Sequence, residues 1–131
     1  MIGLFVFLAG LNGFALVAFA AYSAHGGGGA GLPDPAMFGI AWQIHAVHTC
    51  VMVALGMCRR PNIWLFAAYW LILAGTFFFS GSLYGLGLGW WLNSSIITPF
   101  GGLMMIAGWF CLIISGLYRL SYTARSHKLD E

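Results

Sequence analysis

The stretch MFGIAWQIHAVHTCVMVALGMCRRPNIWLF, residues 37–66, decides the fold. Residues 37–57 contain no Asp, Glu, Lys or Arg. A helix of that length, rising about 1.5 Å per residue, reaches across a hydrocarbon core of about 30 Å. It stops at Arg59-Arg60-Pro61, a basic pair suited to the water boundary followed by a residue that breaks a helix. Asn62 then offers a side-chain acceptor for the free N–H groups of a new helix, and the apolar pattern resumes at Ile63. One crossing ends and the next begins within a few residues.

Working outward, the third span runs over 63–84 and gives way to a glycine- and tryptophan-rich stretch from Gly85 to Ser95. Trp90 and Trp91 suit a turn at the headgroup level, with Gly85 onward beyond the helix end. The fourth span opens at Thr98-Pro99, a cap followed by proline at the first helical position, and runs over 98–120. The tail, residues 121–131, is polar and solvated. Toward the N-terminus, the first span covers 2–23 and carries one strongly polar residue, Asn12. The run Gly26 to Gly29 and then Pro33-Asp34-Pro35 force a loop before the second span at 37–57. Ala18-Phe19-Ala20 resembles a signal cleavage site, but no Lys or Arg precedes the apolar stretch, so four spans are favoured over three.

Composition agrees. With 61% hydrophobic and 6% charged residues among 131, the chain has too little polar surface to coat a soluble domain, and there is no room for a second one. The expected fold is an all-α integral membrane bundle of four transmembrane helices, a single domain over 1–131. All five basic residues fall on the face shared by the termini and the Arg59-Arg60 loop, which puts both termini in the cytoplasm. Basic residues that flank spans set orientation, so no nucleic-acid partner is expected. Cys50, Cys58 and Cys111 form no paired motif and read as packing residues, although acylation of Cys58 is conceivable.

In lipid, small residues mark helix interfaces because they let backbones approach. The candidates are Gly3, Ala9, Gly10 and Gly13 on the first span, Gly75 on the third, and Gly101, Gly102, Gly108 and Gly116 on the fourth. The repeat Gly81, Gly85, Gly89 reads as internal packing and loop geometry before it reads as a dimer face.

A polar layer lies at one depth. His45 and His48 flank the middle of span two and project from nearly the same face, with Asn12, Thr76 and Trp109 level with them on the other spans. Such groups should face the bundle interior, and Asn12 should reach His45 or His48. The layer, Asn12, His45, His48 and Thr76, could relay protons, hold a metal, ligate haem or quinone, or simply bond the helices together, which is favoured. A metal lacks a third ligand, since no carboxylate lies in the spans, and haem would need a histidine from a partner. His45 and His48 are the candidates for cofactor binding, but no cofactor and no metal are expected. His25 reads as an interfacial residue bonding the end of its helix, with a surface ligand as the sharper alternative. Ser80-Gly81-Ser82 has no adjacent base, so a hydrolase reading fails and no catalytic residue is assigned.

The series Ala21-Tyr22-Ser23-Ala24-His25-Gly26, His48-Thr49, Phe79-Ser80-Gly81-Ser82-Leu83-Tyr84, Thr98-Pro99-Phe100-Gly101-Gly102 and Gly108-Trp109 resembles the small bacterial inner-membrane proteins related to YgdD and YwdK. That resemblance implies a four-span inner-membrane protein without an established reaction, and it marks His25, His48, Ser80, Gly81, Ser82, Tyr84, Thr98, Pro99, Gly101, Gly102 and Trp109 as motif positions. The chain departs from the pattern at Ala20, Ser23, Ile44 and His45, so His45 is an addition and a mechanism that needs both histidines is not general to the family.

The expected function is an interaction protein, not an enzyme: an accessory or stabilising subunit of a membrane complex. Its expected partners are the lipid bilayer and other membrane-protein subunits or a second copy. The alternatives are a small-solute or proton carrier using the histidine layer and, more weakly, a quinone- or haem-associated redox subunit.

Overall fold

The computed structural model describes the backbone of residues 2–25, 31–90 and 94–127, and their side chains apart from 94, 95 and 122–127. The expectations placed on Gly26 to Gly29, Trp91 and the last residues of the tail lie outside the described residues. Four helices follow one another, α1 (Ile2–Ala24), α2 (Pro35–Gly56), α3 (Ile63–Gly87) and α4 (Ser94–His127), with no strand among the described residues. Each is long and apolar enough to cross a membrane.

The helix starts and ends depart from the sequence reading in instructive ways. Helix α2 begins at Pro35, ahead of Met37, because Asp34 Oδ1 accepts the Met37 N–H at 3.1 Å and proline is tolerated in a first turn. Asn62 caps α3 as expected, accepting from the Leu65 N–H at 2.9 Å. That helix does not end at Tyr84, however, and Gly85 and Gly87 are buried helical residues. At Gly87 the start of α2 comes so close that a Cβ would lie 2.8 Å from Phe38 Cβ, and the Gly87 carbonyl accepts the Asp34 N–H at 3.2 Å. The chain turns only at Gly89, whose φ of 76° is a left-handed conformation.

Helix α4 starts at Ser94, so Thr98-Pro99 lies inside it and is not its cap. Pro99 is exposed near the helix start, and Thr98 turns its hydroxyl to α3. The same helix continues to His127 into the expected tail, since no Gly or Pro interrupts residues 117–127.

Helices adjacent in sequence pack on one another, and α3 with α4 is the closest pair. Glycine makes that approach possible. A Cβ on Gly75 would lie 2.8 Å from the Gly101 carbonyl oxygen, one on Gly101 would run into the Phe79 backbone nitrogen, and one on Gly108 would lie 2.7 Å from Ile72 Cγ1. Gly3, Gly10, Gly81 and Gly116, by contrast, face open space.

Helix α1 joins the others mainly through aromatic side chains. Phe5 stacks on Tyr69 at 4.1 Å, Phe19 stacks on Tyr84 at 4.2 Å, and the Tyr69 hydroxyl donates to the Phe5 carbonyl at 2.6 Å. Among the described residues, the backbones of α1 and α4 do not come together.

Candidate functional site

Polar groups within a bilayer must find partners in the protein, because an unpaired amide in hydrocarbon costs about 4–8 kcal/mol by transfer to cyclohexane. The described core solves this with two separate hydrogen-bonded clusters on α2. In the first, Asn12 Oδ1 lies 2.8 Å from His45 Nε2 and 2.7 Å from Thr49 Oγ1. A carbonyl oxygen only accepts, so His45 carries its proton on Nε2. In a neutral ring Nδ1 then accepts, and the Tyr84 hydroxyl donates to it at 3.2 Å. Thr49 also lies 2.8 Å from the His45 carbonyl oxygen and shares its single proton between the two acceptors.

The second cluster has the opposite polarity. Trp109 Nε1–H, which only donates, points at His48 Nε2 at 3.2 Å, so that nitrogen accepts. The His48 proton is therefore on Nδ1, where it is donated to the Ile44 carbonyl at 2.8 Å. With both rings neutral, the two histidines take opposite tautomers, and neither has a ring nitrogen to spare.

The sequence had put both rings on nearly one face, yet they diverge, His45 between α1 and α3 and His48 toward α4. Thr76 is buried but joins neither cluster, because α3 turns its hydroxyl toward Met105 Sδ of α4 at 3.9 Å. Tyr84 and Thr49 complete the first cluster in its place. His25 is exposed just past the end of α1. Among the described residues, no three His, Cys, Asp or Glu come together as a metal site.

Of the other motif positions, Ser82, Thr98, Gly101 and Gly102 fall on the contact between α3 and α4, whereas Gly81 faces open space and Pro99 is exposed. Ser82 donates to the Phe79 carbonyl at 2.9 Å, which leaves the Thr98 hydroxyl to donate to Ser82 Oγ at 2.6 Å. Gly101 and Gly102 pack beside Phe79. Ser80 is 1% exposed, and its hydroxyl has no partner.

Beside it, a cleft of about 510 Å³ runs along α3 between α1 and the start of α4. Its walls include Asn12, Phe19, His45, Ser80, Gly81 and Ile97.

Sequence reasoning passed over Gln43. It is exposed on α2, only about 4 Å from the helix midpoint at 1.5 Å per residue, and makes no hydrogen bond among the described residues. A carboxamide inside a charge-free span was the signal available.

Fold and site together define a polytopic α-helical membrane protein whose helices are tied together by hydrogen-bonded polar clusters. The profile of the family described as "Protein of unknown function (DUF423)" matches residues 19–102, and the chain belongs to that family. It is similar to the UPF0382 inner membrane protein YgdD of Escherichia coli K12, with 33% identity over 92% of this chain and 93% of that protein. A UPF0382 membrane protein of Staphylococcus aureus is 36% identical over 86% of this chain and 93% of its own length. One from Staphylococcus haemolyticus is 38% identical with the same coverage. No solved structure matches.

Proposed function

We propose that this protein is a non-catalytic interaction component of the bacterial inner membrane, an accessory or stabilising subunit that associates with other membrane-protein subunits or a second copy. Gln43 is the observation that carries this reading. It presents both a donor and an acceptor to the lipid near mid-depth, where hydrocarbon offers neither. A helix from another subunit would relieve that cost, since polar side chains act as adhesive between transmembrane helices.

Gly3 and Gly10 support the same view. They lie two turns apart on α1, and internal packing does not require glycine at either. The histidines favour a packed layer over a proton path, because every ring nitrogen is already bonded within the chain.

Both termini are cytoplasmic in this proposal. Arg119 Nη2 donates to the Arg60 carbonyl at 2.8 Å, so Arg119 of α4 and the basic loop between α2 and α3 gather at one end of the bundle. The names of the relatives support the inner membrane as the location.

Purification in a mild detergent tests association. The native chain should elute with a stoichiometric partner or as a defined oligomer, and Gln43→Leu should release it as a folded monomer. A native chain that elutes alone would count against the proposal.

A further inference from the structure

The cleft along α3 is built differently from the rest of the lipid-facing surface. Its volume of about 510 Å³ lies within the range of small-molecule sites, about 300–1,000 Å³. Phe19, Phe77, Phe78, Tyr84 and Trp90 give the walls an aromatic character. None of the lining residues is charged. His45 borders the cleft as a neutral ring with both nitrogens engaged.

Two further observations point to an occupant. Ser80 is 1% exposed, lines the cleft, and has a hydroxyl with no partner, although a serine in a helix commonly bonds a carbonyl of its own preceding turn. Gly81, also in the wall, keeps the space free, since a Cβ there would meet nothing within 4 Å. Glycine in a helix interior costs about 1 kcal/mol relative to alanine, and here no internal contact demands it.

We propose that the cleft binds a neutral amphiphile with a planar carbonyl head, the chemical class of the isoprenoid quinones. The head carbonyl accepts the Ser80 hydroxyl proton and the ring lies among the aromatic walls. The tail leaves through the open side of the cleft into lipid. The absence of cationic groups from the lining disfavours phosphate and carboxylate heads, which would enter hydrocarbon uncompensated. An aliphatic chain alone would leave Ser80 unpaired. The cleft extends from Thr76 to Leu88 along α3, about 18 Å at 1.5 Å per residue, enough for a ring and the first part of a tail. This inference is independent of the accessory role.

The test is a titration of the purified full chain in detergent with decylubiquinone, read as quenching of tryptophan fluorescence, because Trp90 borders the cleft. Dodecylbenzene and dodecyl phosphate serve as the tail-only and anionic controls. Saturable quenching is expected from the quinone and not from either control. Ser80→Ala should weaken binding about 3- to 10-fold, the worth of one net hydrogen bond. Gly81→Leu should abolish binding while leaving the circular dichroism and elution of the folded chain unchanged, because a Cβ at this wall position meets nothing within 4 Å. Quenching that never saturates, or that Gly81→Leu leaves intact, would show partition into the micelle and overturn the site. Equal binding of dodecyl phosphate would overturn the neutral head. Native affinity in Ser80→Ala would overturn the assigned contact.

Discussion

The opposite tautomers of His45 and His48 predict which pairs of residues are energetically coupled. Asn12→Leu removes the acceptor that serves His45 Nε2–H at 2.8 Å and Thr49 Oγ1 at 2.7 Å. Thr49 keeps a second acceptor, the His45 carbonyl oxygen at 2.8 Å, so the loss falls on one buried N–H. An orphaned donor costs about 1–3 kcal/mol in a soluble core, whereas hydrogen bonds between membrane helices measure about 0.6 kcal/mol on average and reach about 1.7.

The Asn12 bond to His45 is short and part-buried, which places its coupling within that range, at about 1 kcal/mol. A double-mutant cycle of Asn12→Leu with His45→Phe should recover this value. The matching cycle of Asn12→Leu with His48→Phe should be additive within about 0.5 kcal/mol, because His48 bonds only Ile44 and Trp109. Reversible unfolding from dodecylmaltoside into SDS, followed by circular dichroism, provides the free energies. Equal coupling in both cycles, or none in the first, would refute the assignment of partners.

Three further outcomes follow from the same geometry. Gly101→Ala should destabilise the protein by about 1–3 kcal/mol, because its Cβ meets the rigid Phe79 backbone, while Gly116→Ala, facing open space, should be near neutral in the same unfolding assay. Nitrogen-15 NMR of selectively labelled protein should report the His45 proton on Nε2 and the His48 proton on Nδ1; a single shared tautomer would contradict the two clusters. A C-terminal fluorescent-protein fusion should glow and an alkaline phosphatase fusion at the same point should be inactive, with the reverse pattern overturning the cytoplasmic placement of the termini.

The number of helices, their approximate limits and the meeting of Asn12 with His45 were legible from the order of residues. Depth in a bilayer is a one-dimensional property, set by how far along an apolar run a residue lies at 1.5 Å per step. Helix ends were less legible, because Gly85, Gly87 and Pro99 have local preferences that argue for a break. The close packing of Phe38 on Gly87 and of Gly101 on Phe79 overrides those preferences.

Rotation about each helix axis was not legible at all. No run of residues states that Thr76 turns to Met105, that Tyr84 reaches His45, or that Gln43 faces outward while His45, two residues on, faces inward. Lipid is as apolar as the side chains it touches, so it gives an apolar helix little preference for which face to bury. The choice falls to the glycine contacts and hydrogen bonds between helices, and these exist only once the tertiary structure has brought the helices together.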